Sequence, residues 1–317
     1  MKAQAIVFQQ PRQLSVQSLE LPELADGQAQ VQIEYSAIST GTERLLWDGS
    51  MPAFPGMGYP LVPGCETVGR VVKTAGRSNL TPGQRVFVPG ATCFQGVRSL
   101  FGGAASDLVV PQDRLIPVQA SIGENAVLLA LAATAYHSVA EGGKREVISP
   151  PELIVGHGVM GRLLARMTVA SGAPQPTVWE TCAQRMDGAQ GYSVVRPGDD
   201  PRRDYKTIYD VSGDSHLLDQ LISRLAPGGE IVLAGFYSQD LHFSFAPAFM
   251  REAHIRTAAE WKRADLQAVT ELVHSGRLSL DGLITHRSAP GQALAAYETA
   301  FSDAQCLKMI LDWSASA

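Results

Sequence analysis

The chain has 317 residues, 45% of them hydrophobic and 18% charged, with a formal net charge of −5. Such a composition supports globular domains with sizeable cores, and the length suggests two of them. The mildly acidic balance leaves no electrostatic footprint for nucleic acid or anionic lipid, which excludes both as expected partners.

From the N-terminus, a strand-length alternation stops at Pro11 and lacks the long apolar core and cleavage site of a signal peptide. Residues 29–37 alternate strictly, with Ala29, Val31, Ile33, Tyr35 and Ala37 on one face and Gln30, Gln32, Glu34 and Ser36 on the other. That pattern predicts a half-buried strand. Further short strands are expected at 67–73, 85–88 and 106–110, separated by turns at Pro63-Gly64, Pro82-Gly83, Pro89-Gly90 and Gly102-Gly103. Short strands with this punctuation predict a compact, β-barrel-like domain.

After Ser121 the pattern changes. A buried helix is expected over 124–141, then strand 153–155, helix 159–171, and strands 177–180, 192–195 and 207–211. Residues 215–225 read as an amphipathic helix stopped by Pro227-Gly228-Gly229, with strands 230–235 and 255–259 after it. Strand–helix alternation of this kind predicts a doubly wound parallel sheet, an α/β fold. The tail carries helices near 265–275 and 290–300 and a last strand over 306–312. The expected layout is a β-rich domain from both chain ends, 1–131 and 260–317, with a dinucleotide-binding domain, 132–259, inserted between them.

The longest apolar stretch, 126–140, is interrupted by Thr134, His137 and Ser138 and is too short to cross a bilayer. Cys65, Cys93, Cys182 and Cys306 are scattered without a CxxC pair, so neither a disulfide framework nor a thiolate zinc cage is suggested, and a reducing cytoplasm is the expected compartment.

Gly156-His157-Gly158-Val159-Met160-Gly161 is a GxGxxG run that follows an apolar strand and opens a helix, the context a dinucleotide fingerprint requires. Gly156 permits the tight turn, Gly158 leaves room for the pyrophosphate, and Gly161 lets helix and strand approach closely. The helix N-terminus offers N–H groups to phosphate. Glu180, at the end of the second strand, can accept ribose hydroxyls and repels a 2′-phosphate, which favours NAD over NADP. His157 is expected to touch cofactor, and His137 to be a satisfied core histidine.

The order of parts resembles that of the medium-chain dehydrogenases. Ser39-Thr40-Gly41-Thr42-Glu43 is similar to their ligand-bearing C-G-T-D segment, residues 60–69 to their P-x-V-P-G-H-E-x-x-G, and Gly103-Ala104-Ala105-Ser106 to their G-x-A-E turn. The resemblance implies a GroES-like β-rich catalytic domain joined to a Rossmann domain, and a nicotinamide-dependent oxidoreductase. It also implies a departure. Thr40, Cys65 and Ala130 stand at the family's zinc-ligand positions, and a hydroxyl, a thiol and a methyl do not make a zinc site. The family's four-cysteine structural lobe is missing as well, so no metal is expected.

Without zinc, another group must manage the proton as an alcohol loses hydride. Thr42 matches the family's proton-relay hydroxyl, and Glu43 and Glu66 are carboxylates expected beside it, each open to a catalytic or a structural role. Within the family, the strings 39–47, 54–64, 88–90 and 100–106 resemble a zinc-free branch that oxidises the hydroxyethyl group of a chlorin or bacteriochlorin macrocycle to acetyl with NAD. Trp47, Met51, Phe54, Met57, Tyr59 and Phe101, in segments that read as loops, are expected either to face such a ring, Trp47, Phe54, Tyr59 and Phe101 above all, or to pack the β domain. A homodimer is compatible with the resemblance. Two other readings stay open: a zinc-free quinone or enone reductase using NADPH, which Glu180 disfavours, and a dinucleotide-binding redox sensor without turnover.

Overall fold

The computed structural model describes residues 1–53, 56–99, 101–140, 149–258 and 260–314. Its contacts divide the chain into two compact units, Met1–Ala130 with Asp281–Ala317, and Leu131–Leu280.

The first unit begins with a hairpin, β1 (Lys2–Gln10) and β2 (Gln13–Glu20), and continues into β3 (Gln28–Ile38). A helix, α1 (Thr42–Asp48), follows where loop was expected. It ends on Gly49 in the left-handed region, at φ 81°, a conformation that costs glycine nothing. Short strands come next: β4 (Leu61–Val62), β5 (Thr67–Thr74), β6 (Arg85–Val88), β7 (Arg98–Ser99), β8 (Asp107–Pro111) and β9 (Ile116–Pro117). The helix expected over 124–141 is in two parts, 3-10 turns over Ala120–Leu128 and α2 (Leu129–Ala140). Gly123, at φ 60° and ψ −146°, breaks the regular backbone inside the first part.

The second unit is a six-stranded parallel sheet in the order β12-β11-β10-β13-β14-β15. Its members are β10 (Leu153–Val155), β11 (Thr177–Trp179), β12 (Ser193–Val195), β13 (Tyr205–Asp210), β14 (Leu225–Leu233) and β15 (His254–Thr257). Renumbered within the unit this is 3-2-1-4-5-6, the doubly wound dinucleotide-binding order. Helices α3 (Val159–Ala170), α4 (Leu218–Arg224), α5 (Phe245–Met250) and α6 (Arg263–His274) complete it. The Pro227-Gly228-Gly229 stop lies inside β14 rather than before it. The strand starts at Leu225 opposite Tyr205, slips, and resumes at Glu230 opposite Thr207, so an irregular pairing absorbs the turn residues.

The tail returns to the first unit as β16 (His286–Ser288), α7 (Ala293–Ser302) and β17 (Met309–Asp312). Strand β17 pairs antiparallel with β3, placing the chain end in a seven-stranded sheet, β16-β17-β3-β5-β6-β9, with β8 also paired to β3. A four-stranded sheet, β2-β1-β4-β7, packs with it around one core that includes Ile6, Phe8, Val31, Val62, Val86, Leu108, Tyr297 and Trp313. The strict alternation of β3 does not survive here. Ser36, on its polar face, is buried and accepts a 2.9 Å hydrogen bond from Trp313 Nε1, because the tail covers that face.

In the second unit, one buried carboxylate ties two strands. Asp200 accepts from Trp179 Nε1 at 2.7 Å, from Tyr205 Oη at 2.8 Å and from Arg202 N at 2.9 Å. Asp200→Ala strands two buried side-chain donors, and each such loss costs about 1–3 kcal/mol. The urea midpoint for unfolding should fall with little change in slope; an unchanged midpoint would show that this knot carries no stability.

Candidate active site

Strand β10 delivers the chain into the glycine run, and Gly156 turns it at φ 104°. Helix α3 then starts at Val159 with Gly158 as its N-cap and no side-chain cap, so its first N–H groups have no capping side chain. A Cβ on Gly158 would meet nothing within 4 Å, which leaves open ground beside the loop. A Cβ on Gly161 would sit 1.9 Å from Gly156 O, so only glycine permits this approach of helix to loop. Bare N–H groups, an open flank and a close-packed turn fit a dinucleotide pyrophosphate.

Glu180 follows β11 and is 8% exposed. One oxygen accepts from the Thr181 and Cys182 backbones at 2.7 and 2.8 Å, and the other from His157 N at 3.1 Å. A carboxylate has about four lone-pair sites, so three of them are used by these bonds. The acid therefore also ties the phosphate loop to the end of the second strand.

The His157 ring turns into the protein and is fully buried. Its Nδ1 lies 2.6 Å from Arg185 O and its Nε2 2.8 Å from Tyr192 Oη. A carbonyl only accepts, so Nδ1 carries the proton and Nε2 accepts from the tyrosine. Burial, with the Arg162 charge adding to it, pushes the imidazole down to about 4, so it is neutral at pH 7. Both ring nitrogens are thus engaged inside the protein, and the backbone N–H at this position is already committed to Glu180. His137 bonds through Nδ1 to Asp265 at 2.8 Å, the satisfied histidine expected on that helix.

In the first unit, the turn Ser39–Glu43 brings the second group of candidates together. Glu43 N donates to Ser39 O at 3.1 Å, and Ser39 N donates back to Glu43 Oε1 at 3.2 Å. Glu43 Oε2 accepts from Tyr297 Oη, on α7, at 2.7 Å. Thr42, half-buried at the start of α1, places Oγ1 3.3 Å from Ser39 Oγ. Glu66 forms a buried 2.7 Å ion pair with Lys308 of the tail, whose Nζ also donates to Ile38 O at 3.3 Å. Neither carboxylate hydrogen-bonds Thr42 among the described residues. Sequence reasoning missed Tyr297 and Lys308. The signal for the second was present, as a lone lysine in the apolar run 306–312.

Thr40, which the resemblance sets at a zinc-ligand position together with Cys65 and Ala130, is exposed, while Cys65 is half-buried and Ala130 buried. Among the described residues no group of three His, Cys, Asp or Glu side chains could hold a metal ion. This donor set does not fit zinc. Trp47 packs edge-on to Phe8, with centroids 5.7 Å apart, and lies 6.4 Å from the Tyr297 ring. Tyr59 Oη donates to Leu46 O, and Tyr59, Met57 and Phe101 border the core half-buried, while Met51 lies within it. These aromatics therefore pack the domain with part of their surface. Phe54 lies outside the described residues.

The sequence profile of the alcohol dehydrogenase GroES-like domain matches residues 25–120. The chain is 52% identical to 2-desacetyl-2-hydroxyethyl bacteriochlorophyllide A dehydrogenase of Cereibacter sphaeroides, covering 100% of both chains. It is 53% identical to the enzyme of the same name from Rhodobacter capsulatus, over 99% of each. The chain belongs to this bacteriochlorophyllide dehydrogenase family of medium-chain oxidoreductases. The fold agrees. The 2R,3R-butanediol dehydrogenase of Bacillus subtilis superposes with a TM-score of 0.84 at 19% identity, over 98% of this chain and 99% of that one. An alcohol dehydrogenase of Escherichia coli solved with NADH gives 0.82 at 19% identity, over 98% and 99%. Members of the bacteriochlorophyllide dehydrogenase family are oxidoreductases, and among the described residues no helix here is long and apolar enough to cross a membrane.

Burial pushes Glu43 up to about 7; its hydrogen bonds from Tyr297 and Ser39 pull the other way without matching it. Tyr297 is itself pushed far above its usual range by burial and by the Glu43 charge, so it remains a donor. A carboxyl raised on folding stabilises the fold fully below the unfolded value near 4.5, and that contribution is lost as pH rises through about 7. The span corresponds to about 3 kcal/mol. Melting temperature should therefore decline between pH 5 and 8, and Glu43→Gln should flatten that decline. An equal slope in the variant would place the titration elsewhere.

Proposed function

We propose that the chain oxidises the 3-(1-hydroxyethyl) group of a bacteriochlorophyllide to 3-acetyl, with NAD and without zinc, in bacteriochlorophyll a biosynthesis. The observation that carries this reading is full-length identity above one half with two dehydrogenases that bear that substrate's name. The phosphate loop Gly156–Gly161 holds the dinucleotide, and Glu180 meets its ribose with the lone-pair site left open. NAD bound there would supply the acceptor for the hydride of the carbinol carbon. The Thr42 hydroxyl, at the head of α1, receives the proton of the substrate hydroxyl. Glu43 positions Thr42 by closing the turn onto Ser39, and the Lys308 pair holds Glu66 as a fixed counter-charge. The part-exposed faces of Trp47, Tyr59 and Phe101 supply apolar contact to the ring. A tetrapyrrole is planar and largely apolar, so such contact gives affinity without directional bonds. The enone reductase alternative, which draws on NADPH, has the carboxylate of Glu180 against it.

The reading is tested with the purified protein, NAD and a hydroxyethyl bacteriochlorophyllide. The absorption spectrum should move to that of the acetyl product; no shift would overturn it. kcat/KM should be higher with NAD than with NADP, and Glu180→Ala should weaken NAD binding. Equal values with the two cofactors would remove Glu180 as the discriminator. Dialysis against a strong chelator should leave the rate unchanged; stoichiometric zinc with loss of activity on its removal would refute the metal-free reading. Thr42→Val removes the hydroxyl at constant shape and should lower kcat by about 10²–10⁴-fold while sparing NAD affinity.

A further inference from the structure

We infer that Ser39 is the second hydroxyl of the proton path, carrying to solvent the proton that Thr42 receives. The inference rests on the oxidation proposed above and adds the exit that the reaction needs. Each turnover releases one proton from the substrate hydroxyl, and a threonine can only pass it on.

Three placements point to Ser39. The first is proximity, since Ser39 Oγ lies 3.3 Å from Thr42 Oγ1 and either hydroxyl can donate. The distance is long for an O–H···O bond, and catalytic hydrogen bonds commonly tighten only when substrate is bound. The second is that the two nearby carboxylates are engaged elsewhere. Glu43 accepts from Ser39 N and Tyr297 Oη and is 1% exposed. Glu66 is held by Lys308 and is 3% exposed. The third is access to water. Ser39 is half-buried and is followed by Thr40 and Gly41, both exposed. The turn is also built to hold the pair in register, because the reciprocal bonds between Ser39 and Glu43 set the backbone on both sides of Thr42.

The step balances. The carbinol C–H bond breaks and its electron pair goes with hydrogen to the nicotinamide of NAD, the oxidant. The substrate O–H proton moves to Thr42 Oγ1, the proton of Thr42 moves to Ser39 Oγ, and the proton of Ser39 leaves to water. The carbon–oxygen bond becomes a carbonyl, and both hydroxyls return to their starting state once their protons are redistributed.

Ser39 acts through Thr42 and is a positioning and relay residue. The test is oxidation of hydroxyethyl bacteriochlorophyllide by NAD with the unaltered protein, Ser39→Ala, Ser39→Thr and Thr42→Val, in water and in deuterium oxide. Ser39→Ala should lower kcat by about 10²-fold, the low end of what positioned proton transfer contributes, with KM for pigment and cofactor unchanged. Ser39→Thr, which keeps the hydroxyl, should restore kcat to within a few-fold. Rates in mixed isotopic water should bow for the unaltered protein, as expected for more than one proton in motion, and bow less for Ser39→Ala, which removes one of the three transfers. Retention of kcat in Ser39→Ala, or failure of Ser39→Thr to rescue, overturns the inference. If Thr42→Val is impaired and Ser39→Ala is not, the relay alone is wrong and the oxidation stands. If the unaltered protein does not turn over the pigment, the reading of the substrate falls and the inference falls with it.

Discussion

Glu43 is a carboxyl held out of water between two ends of the chain. It bonds the turn that starts α1 and, 254 positions on, the tyrosine of α7. Beside it, Lys308 reaches Glu66 across 242 positions. Burying such groups is costly unless their partners are supplied, so each acid requires the tail to be in place. The first unit is therefore not a stretch of N-terminal chain with an appendage. Its polar interior is complete only when β17 has paired with β3 and α7 has covered the core.

The same condition shapes the setting of the proposed chemistry. Thr42 sits at the head of a helix of seven residues, too short to be stable by itself. What holds it is Glu43 behind it, Leu46 in the core, and Trp47 against Phe8 and Tyr297. Aromatic residues that were candidates for ligand contact thus also carry packing, and a side chain can do both when one face lies on the core and the other does not. In the second unit, Glu180 has a similar double duty. It closes the phosphate loop through His157 N while keeping one lone-pair site.

Much of the fold was legible because its signals are local. Strands 85–88 and 153–155 and the start of helix 159 lie where periodicity and glycines put them. The GxGxxG run was readable for the same reason, since the strand before it and the helix after it are sequence neighbours. Helix α1 was not legible, because no long apolar stripe marks it and its support comes from distant residues. The strand through Pro227-Gly228-Gly229 was hidden by turn residues that an irregular pairing accommodates.

By itself the sequence determined the α/β class and the resemblance to the family, and it raised two expectations, a dinucleotide loop at Gly156–Gly161 and no zinc ligands at Thr40, Cys65 and Ala130. Each rests on residue identity and order read along the chain, with no contact in space needed to see it. Only the tertiary structure decided what the acids meet. Glu43 and Glu66 are equivalent in sequence, two carboxylates near glycine-rich turns. Folding sets one against a neutral phenol and the other against an ammonium group. The pKa and role of a buried carboxyl follow from burial and from the groups that meet it in space. Those groups, Tyr297 and Lys308, come from the far end of the chain.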